Sequence, residues 1–330
     1  MKEFCRKRWF LLLLVGSIAL AAWIPRSLQP VVGMLEPKVI VSVALFLMAW
    51  CLESRDLRNA LLHPWPALWG VVISYGLLPA LAWMAGFLLQ VADFRIGLLM
   101  IAGVPCTLAS AVLWTRMARG NEATALLVTL LTTGTSWLAT TGWLMVGAGR
   151  QVDFDVGSLM WGLFLVLVFP VGAGQLLQMI TPLRQFAKRH KTGLGVVSQI
   201  LVLSIIFKAA VEMFDKLESG TVSVATLSIV AVASACLAIH LLGLTFGFWS
   251  SRALRFDRPN QIAVAIACSQ KSLPVALFLY QTYSEDYPLA VIPLAIYHVG
   301  QLIVDTIIAE RLADAGRPKL AMPDEAQVLT

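Results

Sequence analysis

Apolar residues run through this chain in long blocks, cut by short stretches of charge, proline or glycine, and the blocks carry no one-sided amphipathic stripe. A block of about 20 apolar residues is what a helix needs to cross the hydrocarbon of a bilayer. Ten such helices are predicted: Trp9–Ile24, Pro37–Leu52, Trp65–Leu89, Phe94–Arg116, Asn121–Val146, Val156–Ile180, Leu194–Met213, Val222–Trp249, Asn260–Tyr280 and Tyr287–Arg311. Ser54–His63 reads as a small interfacial helix, and the polar, proline-containing tail 313–330 as disordered. The N-terminus has the basic start and apolar run of a cleavable signal peptide, but retention as the first helix keeps the number of spans even.

Composition agrees with lipid as the solvent: the chain is 58% hydrophobic and 13% charged, against roughly 25% charged for a soluble domain. The net charge of +6 is accounted for by loop placement and calls for no nucleic-acid partner. Six Lys and Arg fall on one side of the ten helices (Arg26, Lys38, Arg95, Arg150, Lys208, Lys216), Lys271 falls inside a helix, and the other eighteen fall on the opposite side. The positive-inside rule then places both termini in the cytoplasm of a plasma (inner) membrane protein. The five cysteines are scattered and mostly apolar in context, which points to neither a disulfide framework nor a metal site.

Ten helices divide into two sets of five that enter the membrane from opposite sides, residues 1–147 and 148–312, the inverted-repeat arrangement of many secondary transporters. The fourth helix of each set is interrupted by polar residues and proline. "GVPCTLASAV" spans Gly103 to Val112, and "ACSQKSLPVAL" spans Ala267 to Leu277. Proline removes a donor and clashes with the turn before it. Backbone groups freed in hydrocarbon cost several kcal/mol each, so such breaks survive only inside protein or beside a wet cavity. Pro105, Thr107, Ser110, Ser269, Gln270 and Ser272 are therefore predicted to line a site near mid-membrane, along with Thr129 and Thr133 from "TLLTTGTSW" in the fifth helix, whose hydroxyls either line the cavity or bond back to the preceding turn.

Three stretches, "SAVLWTRMARGNEATAL", "CSQKSLPVAL" and "PLAIYHVGQLIVDTIIAERLA", resemble the bile acid:sodium symporter superfamily, most of all its sodium/bile acid cotransporter 7-like branch. The resemblance implies an all-α membrane fold of ten helices in two inverted five-helix repeats, with the fourth and ninth helices broken and crossing. It implies a panel of helices one, two, six and seven, and a core of helices three to five and eight to ten. It also implies two sodium sites at the crossing, but here only Ser110, Thr129 and Gln270 match the ligand pattern. Ala111, Ala125 and Ile266 stand where an asparagine, a serine and a glutamate are usual. A hard cation wants several oxygens and preferably a carboxylate, so the usual sodium sites are degraded.

Lys271 offers a substitute. A charge at that depth costs about 2.5–3.5 kcal/mol on insertion scales, so its ammonium either stands in for a sodium ion, exchanges a proton, snorkels to an interface or joins a fixed ion pair. His298, Gln301 and Asp305 share one face of the tenth helix. Asp305 is the expected counter-ion of Lys271, His298 a proton relay, and the three together equally well a structural strut. His240 is a lone histidine in the eighth helix and reads as a satisfied interhelical contact rather than a ligand. The chain thus reads as a secondary active transporter of a small organic anion, with no resident cofactor, sodium or a proton as coupling ion, and an open oligomeric state. The competing reading is a membrane regulator of ion homeostasis or signalling. An enzyme is disfavoured, since no HExxH or paired-carboxylate motif occurs.

Overall fold

The computed structural model describes residues 13, 16–52, 57–148, 155–218, 225–283 and 287–315. Every regular element among them is helical. Residues 16–23 are helical (α1), while the start of the predicted first helix, and the signal-peptide alternative with it, lies outside the described residues. There follow α2 (Pro25–Gly33), α3 (Pro37–Trp50), α4 (Leu57–Leu62), α5 (Trp65–Gly86), α6 (Ala92–Gly103), α7 (Ser110–Met117) and α8 (Glu122–Ala148). The second half holds α9 (Val156–Met179), α10 (Thr181–Arg189), α11 (Lys191–Glu218), α12 (Thr226–Ala253), α13 (Arg258–Ser269), α14 (Leu273–Tyr283) and α15 (Val291–Ala315).

By length and apolarity, seven helices of the described residues are able to cross a membrane, or eight if α2 and α3 count as one span. The count differs from the ten predicted for physical reasons. Part of the first helix is not described, and the fourth is divided into α6 and α7, each too short to pass alone. Residues 25–33 were expected in a connection. They form α2, which meets α3 at 72°, because Pro25 and Pro37 each open a helix, where a missing N–H costs nothing. The last helix runs through Ala315, past the predicted start of the tail; the tail from residue 316 lies outside the described residues.

The span made by α13 and α14 is the centre of the molecule. Its apolar window is wholly buried, while 33–56% of the corresponding window is buried in the other spans. Small residues bring the neighbours close. A Cβ on Gly247 of α12 would stand 2.9 Å from the Cα of Ala265 in α13. One on Gly174 of α9 would stand 2.8 Å from the Phe46 carbonyl oxygen of α3. Outward, Trp23, Trp65, Trp161 and Trp249 are exposed, as lipid-facing side chains should be.

Two helices carry a single π-turn, at Ile73–Leu77 in α5 and Phe164–Val168 in α9. Each stands just ahead of a proline, Pro79 or Pro170, a local arrangement that leaves carbonyls with no N–H to accept. In α9 the Val166 carbonyl takes the Ser42 hydroxyl at 3.3 Å. In α5 the consequence reaches the site described below.

Arg119 and Arg255 have φ of 60° and 61°. Arg255 follows the end of α12, where Phe256 N–H bonds the Ser251 carbonyl at 3.0 Å, an ending that normally uses glycine at the left-handed position. Arg255→Gly is expected to stabilise the protein by up to about 1 kcal/mol, seen as a higher melting temperature in detergent. An unchanged or lower value would show that the position stores no strain.

Candidate functional site

Helical geometry stops at Gly103, with Val104 extended (ψ 161°), and resumes at Ser110. It stops again at Ser269, with Gln270 extended (ψ 138°), and resumes at Leu273. The two non-helical stretches touch: Ser272 N–H donates to the Pro105 carbonyl at 3.0 Å. Each freed backbone group must find a partner here or leave a buried orphan, and the partners come from other helices.

At the first break, the hydroxyls of α8 do this work. Thr140 Oγ1 donates to the Gly103 carbonyl at 2.8 Å, and Cys106 N–H donates to Thr132 Oγ1 at 3.2 Å. Thr129 Oγ1 lies 3.3 Å from the Thr107 carbonyl while also bonding back to Ala125 at 2.9 Å. Thr133 turns wholly back, to the Thr129 carbonyl at 2.8 Å, so it is not brought to the break with the others. At the second break, Gln301 acts like a strand partner. Its Oε1 accepts from Lys271 N–H at 2.9 Å, and its Nε2 donates to the Lys271 carbonyl at 3.0 Å. The same amide nitrogen stands 3.1 Å from His298 Nδ1. The Ser269 carbonyl accepts from the Tyr297 hydroxyl at 2.9 Å and from His240 Nδ1 at 3.2 Å, while the Ser269 hydroxyl bonds back to Ile266 at 3.1 Å.

Gln270 links the two breaks. Its Oε1 accepts from Thr107 Oγ1 at 2.6 Å and Ser110 Oγ at 2.8 Å, and those hydroxyls are 2.5 Å apart. Its Nε2 donates to Asp305 Oδ2 at 2.6 Å. The amide is therefore oriented: nitrogen toward the carboxylate, oxygen toward the hydroxyls. Three neutral oxygens converge, and the one nearby carboxylate faces the other end of the amide. The carboxylate, the ligand a hard cation prefers, does not point toward these three oxygens. Among the described residues, no group of three His, Cys, Asp or Glu is placed to hold a metal.

Lys271 is fully buried, with its Nζ 2.7 Å from the Ser74 carbonyl, 2.9 Å from Ser74 Oγ and 3.1 Å from the Val104 carbonyl. The Tyr75 ring lies beside it, 5.4 Å to the centroid. Pro79 explains the first of these acceptors. In the π-turn, Leu78 N–H bonds Ile73, and proline offers Ser74 and Tyr75 no donor. The Ser74 carbonyl takes the lysine, and the Tyr75 carbonyl takes Trp143 Nε1 at 2.5 Å. Three ammonium protons meet three neutral acceptors. Lys271 thus neither snorkels nor forms an ion pair.

The expected partnership of Asp305 with Lys271 is not what the structure holds. Asp305, also fully buried, accepts from Gln270 and lies 3.1 Å from His240 Nε2. His240 is the satisfied interhelical contact expected of it, within a chain running Thr107/Ser110–Gln270–Asp305–His240–Ser269. Sequence reasoning missed Ser74, Tyr75 and Thr140, and the pairing of His240 with Asp305. The signals were present but weak: a lone Ser-Tyr ahead of Gly76 and Pro79, and a histidine in an otherwise apolar helix.

The profile of the SBF-like CPA transporter family matches residues 8–314. Similar proteins include sodium/bile acid cotransporter 7 of Danio rerio, 26% identical over 96% of this chain and 98% of its own. The Mus musculus protein of the same name is 25% identical over 93% and 92%. The uncharacterized sodium-dependent transporter YocS of Bacillus subtilis is 25% identical over 82% and 81%.

Proposed function

The chain belongs to the SBF-like CPA transporter family, and from that premise we propose that it is a secondary active carrier of a small organic anion. Its ten helices form two inverted repeats, residues 1–147 and 148–312, with α6–α7 and α13–α14 as the broken fourth and ninth helices. The core (helices three to five and eight to ten) moves against the panel (helices one, two, six and seven), exposing a site at the crossing to each side in turn. Both termini face the cytoplasm of the plasma membrane.

One observation carries this reading: two non-helical stretches meet deep in an apolar protein, with Ser272 N–H on Pro105 and the Lys271 ammonium on Val104. Irregular backbone at membrane depth is characteristic of substrate and ion sites. Lys271 takes up the role of a fixed cation at the carbonyl ends of the break, so the usual two sodium ions are not used. The N-terminal turn of α14, rather than the committed lysine, supplies positive field for the anion.

Purified protein in proteoliposomes is expected to show counterflow of a labelled organic anion that is indifferent to an imposed sodium gradient. Exchange driven by sodium would overturn the ion assignment. Failure of exchange across carboxylate, sulfonate and sulfate classes would overturn the carrier reading and favour the membrane regulator.

A further inference from the structure

The nine-residue helix α10 joins the end of α9 at Met179 to the start of α11 at Lys191, so both its ends are tied to the membrane boundary. Its pattern is two-faced. Leu183, Phe186, Ala187 and His190 fall on one side of the helical wheel, and Arg184, Lys188 and Arg189 on the other. Ala187 is buried, while Lys188 and Arg189 are exposed. Phe186, 48% exposed, stacks on Trp50 of α3 with centroids 5.7 Å apart and planes 18° apart.

Among the described residues, nothing acidic balances the basic face. No Asp or Glu occurs between Asp155 and Glu212. Among the described residues none of Arg184, Lys188 and Arg189 has an acidic partner. The Trp50 indole beneath Phe186 also has a buried N–H with no acceptor among the described residues. Three unpaired cations on the polar side of an interfacial helix, with an aromatic pair on its apolar side, match a phosphate-bearing surface at the depth of lipid headgroups.

We propose that α10 is a binding site for an anionic phospholipid, whose phosphate is held by Arg184, Lys188 and Arg189 while its chains lie along Phe186. The helix joins two spans assigned above to the panel, so the lipid fastens that part to the leaflet. The site itself stands whether or not the chain is a carrier.

Full-length protein in detergent is titrated with dioleoylphosphatidylglycerol, with dioleoylphosphatidylcholine, or with inorganic phosphate, and its melting temperature is followed. Only phosphatidylglycerol is expected to raise it, and 0.5 M salt to erase most of the gain. In the triple variant Arg184→Gln, Lys188→Gln, Arg189→Gln, the apparent affinity for phosphatidylglycerol should fall on the order of a hundredfold, from about 1 kcal/mol per basic residue at an anionic surface. An equal response in wild type and triple variant overturns the site, and so does an equal response to inorganic phosphate. Should the triple variant not fold, the charge-preserving Arg184→Lys, Lys188→Arg, Arg189→Lys and the salt titration of wild type decide: an undiminished rise at 0.5 M salt overturns it.

Discussion

Lys271→Met should lower the stability of the protein by about 2–4 kcal/mol and abolish counterflow. The change leaves the Ser74 and Val104 carbonyls in a dry interior without their donor, at about 1–3 kcal/mol for each orphan. Part of that loss is offset, because methionine no longer buries a charge. Lys271→Ala separates the two effects. It leaves a hole edged by the Ser74 carbonyl, the Ser74 hydroxyl and the Val104 carbonyl, all oxygen. Sodium chloride, but not choline chloride, is expected to raise the melting temperature of Lys271→Ala and to leave wild type and Lys271→Met unchanged. A site filled to a hundred times its dissociation constant would add about 2.7 kcal/mol. Equal stabilisation of wild type by sodium would refute the idea that the lysine is a built-in cation.

Asp305→Ala is expected to cost about 2–6 kcal/mol, because Gln270 Nε2 and His240 Nε2 both lose their partner, at about 1–3 kcal/mol for each buried group left unsatisfied. Asp305→Asn should cost less than about 1.5 kcal/mol. Its amide oxygen still accepts from Gln270. Its amide nitrogen can donate to His240 Nε2 where that nitrogen carries the lone pair and Nδ1 donates to Ser269. Thermal denaturation of both variants, with anion counterflow alongside, makes the comparison. If asparagine fails as badly as alanine, the site requires the negative charge itself and not an acceptor that orients the Gln270 amide.

The long apolar helices of the described residues, and the two places where helical geometry stops, each have a one-dimensional cause. Apolar length sets a span, and Gly103 with Pro105, or Lys271 in an apolar block, marks a place where the span fails. The pairings across the interior were not legible. Asp305 looked like the counter-ion of Lys271 because opposite charges attract, yet pairing depends on which helix faces which. The π-turn before Pro79 presents a neutral carbonyl to the lysine, while His240 presents itself to the aspartate. The Thr stretch of α8 shows the same limit. Spacing left open whether its hydroxyls bond back to their own helix or reach outward; Thr133 does the first, Thr140 the second, and Thr129 both.

The cross-chain partners at the two breaks also dictate an order of birth. Val104 and Pro105 wait for residues 271 and 272, more than 160 positions later, and Lys271 and Ser269 wait in turn for Gln301 and Tyr297 in α15. A nascent chain emerging from the ribosome therefore holds an unfinished middle until its final helix is inserted. Truncation before α15 should yield a product that quality-control proteases remove, however well the preceding helices have entered the bilayer.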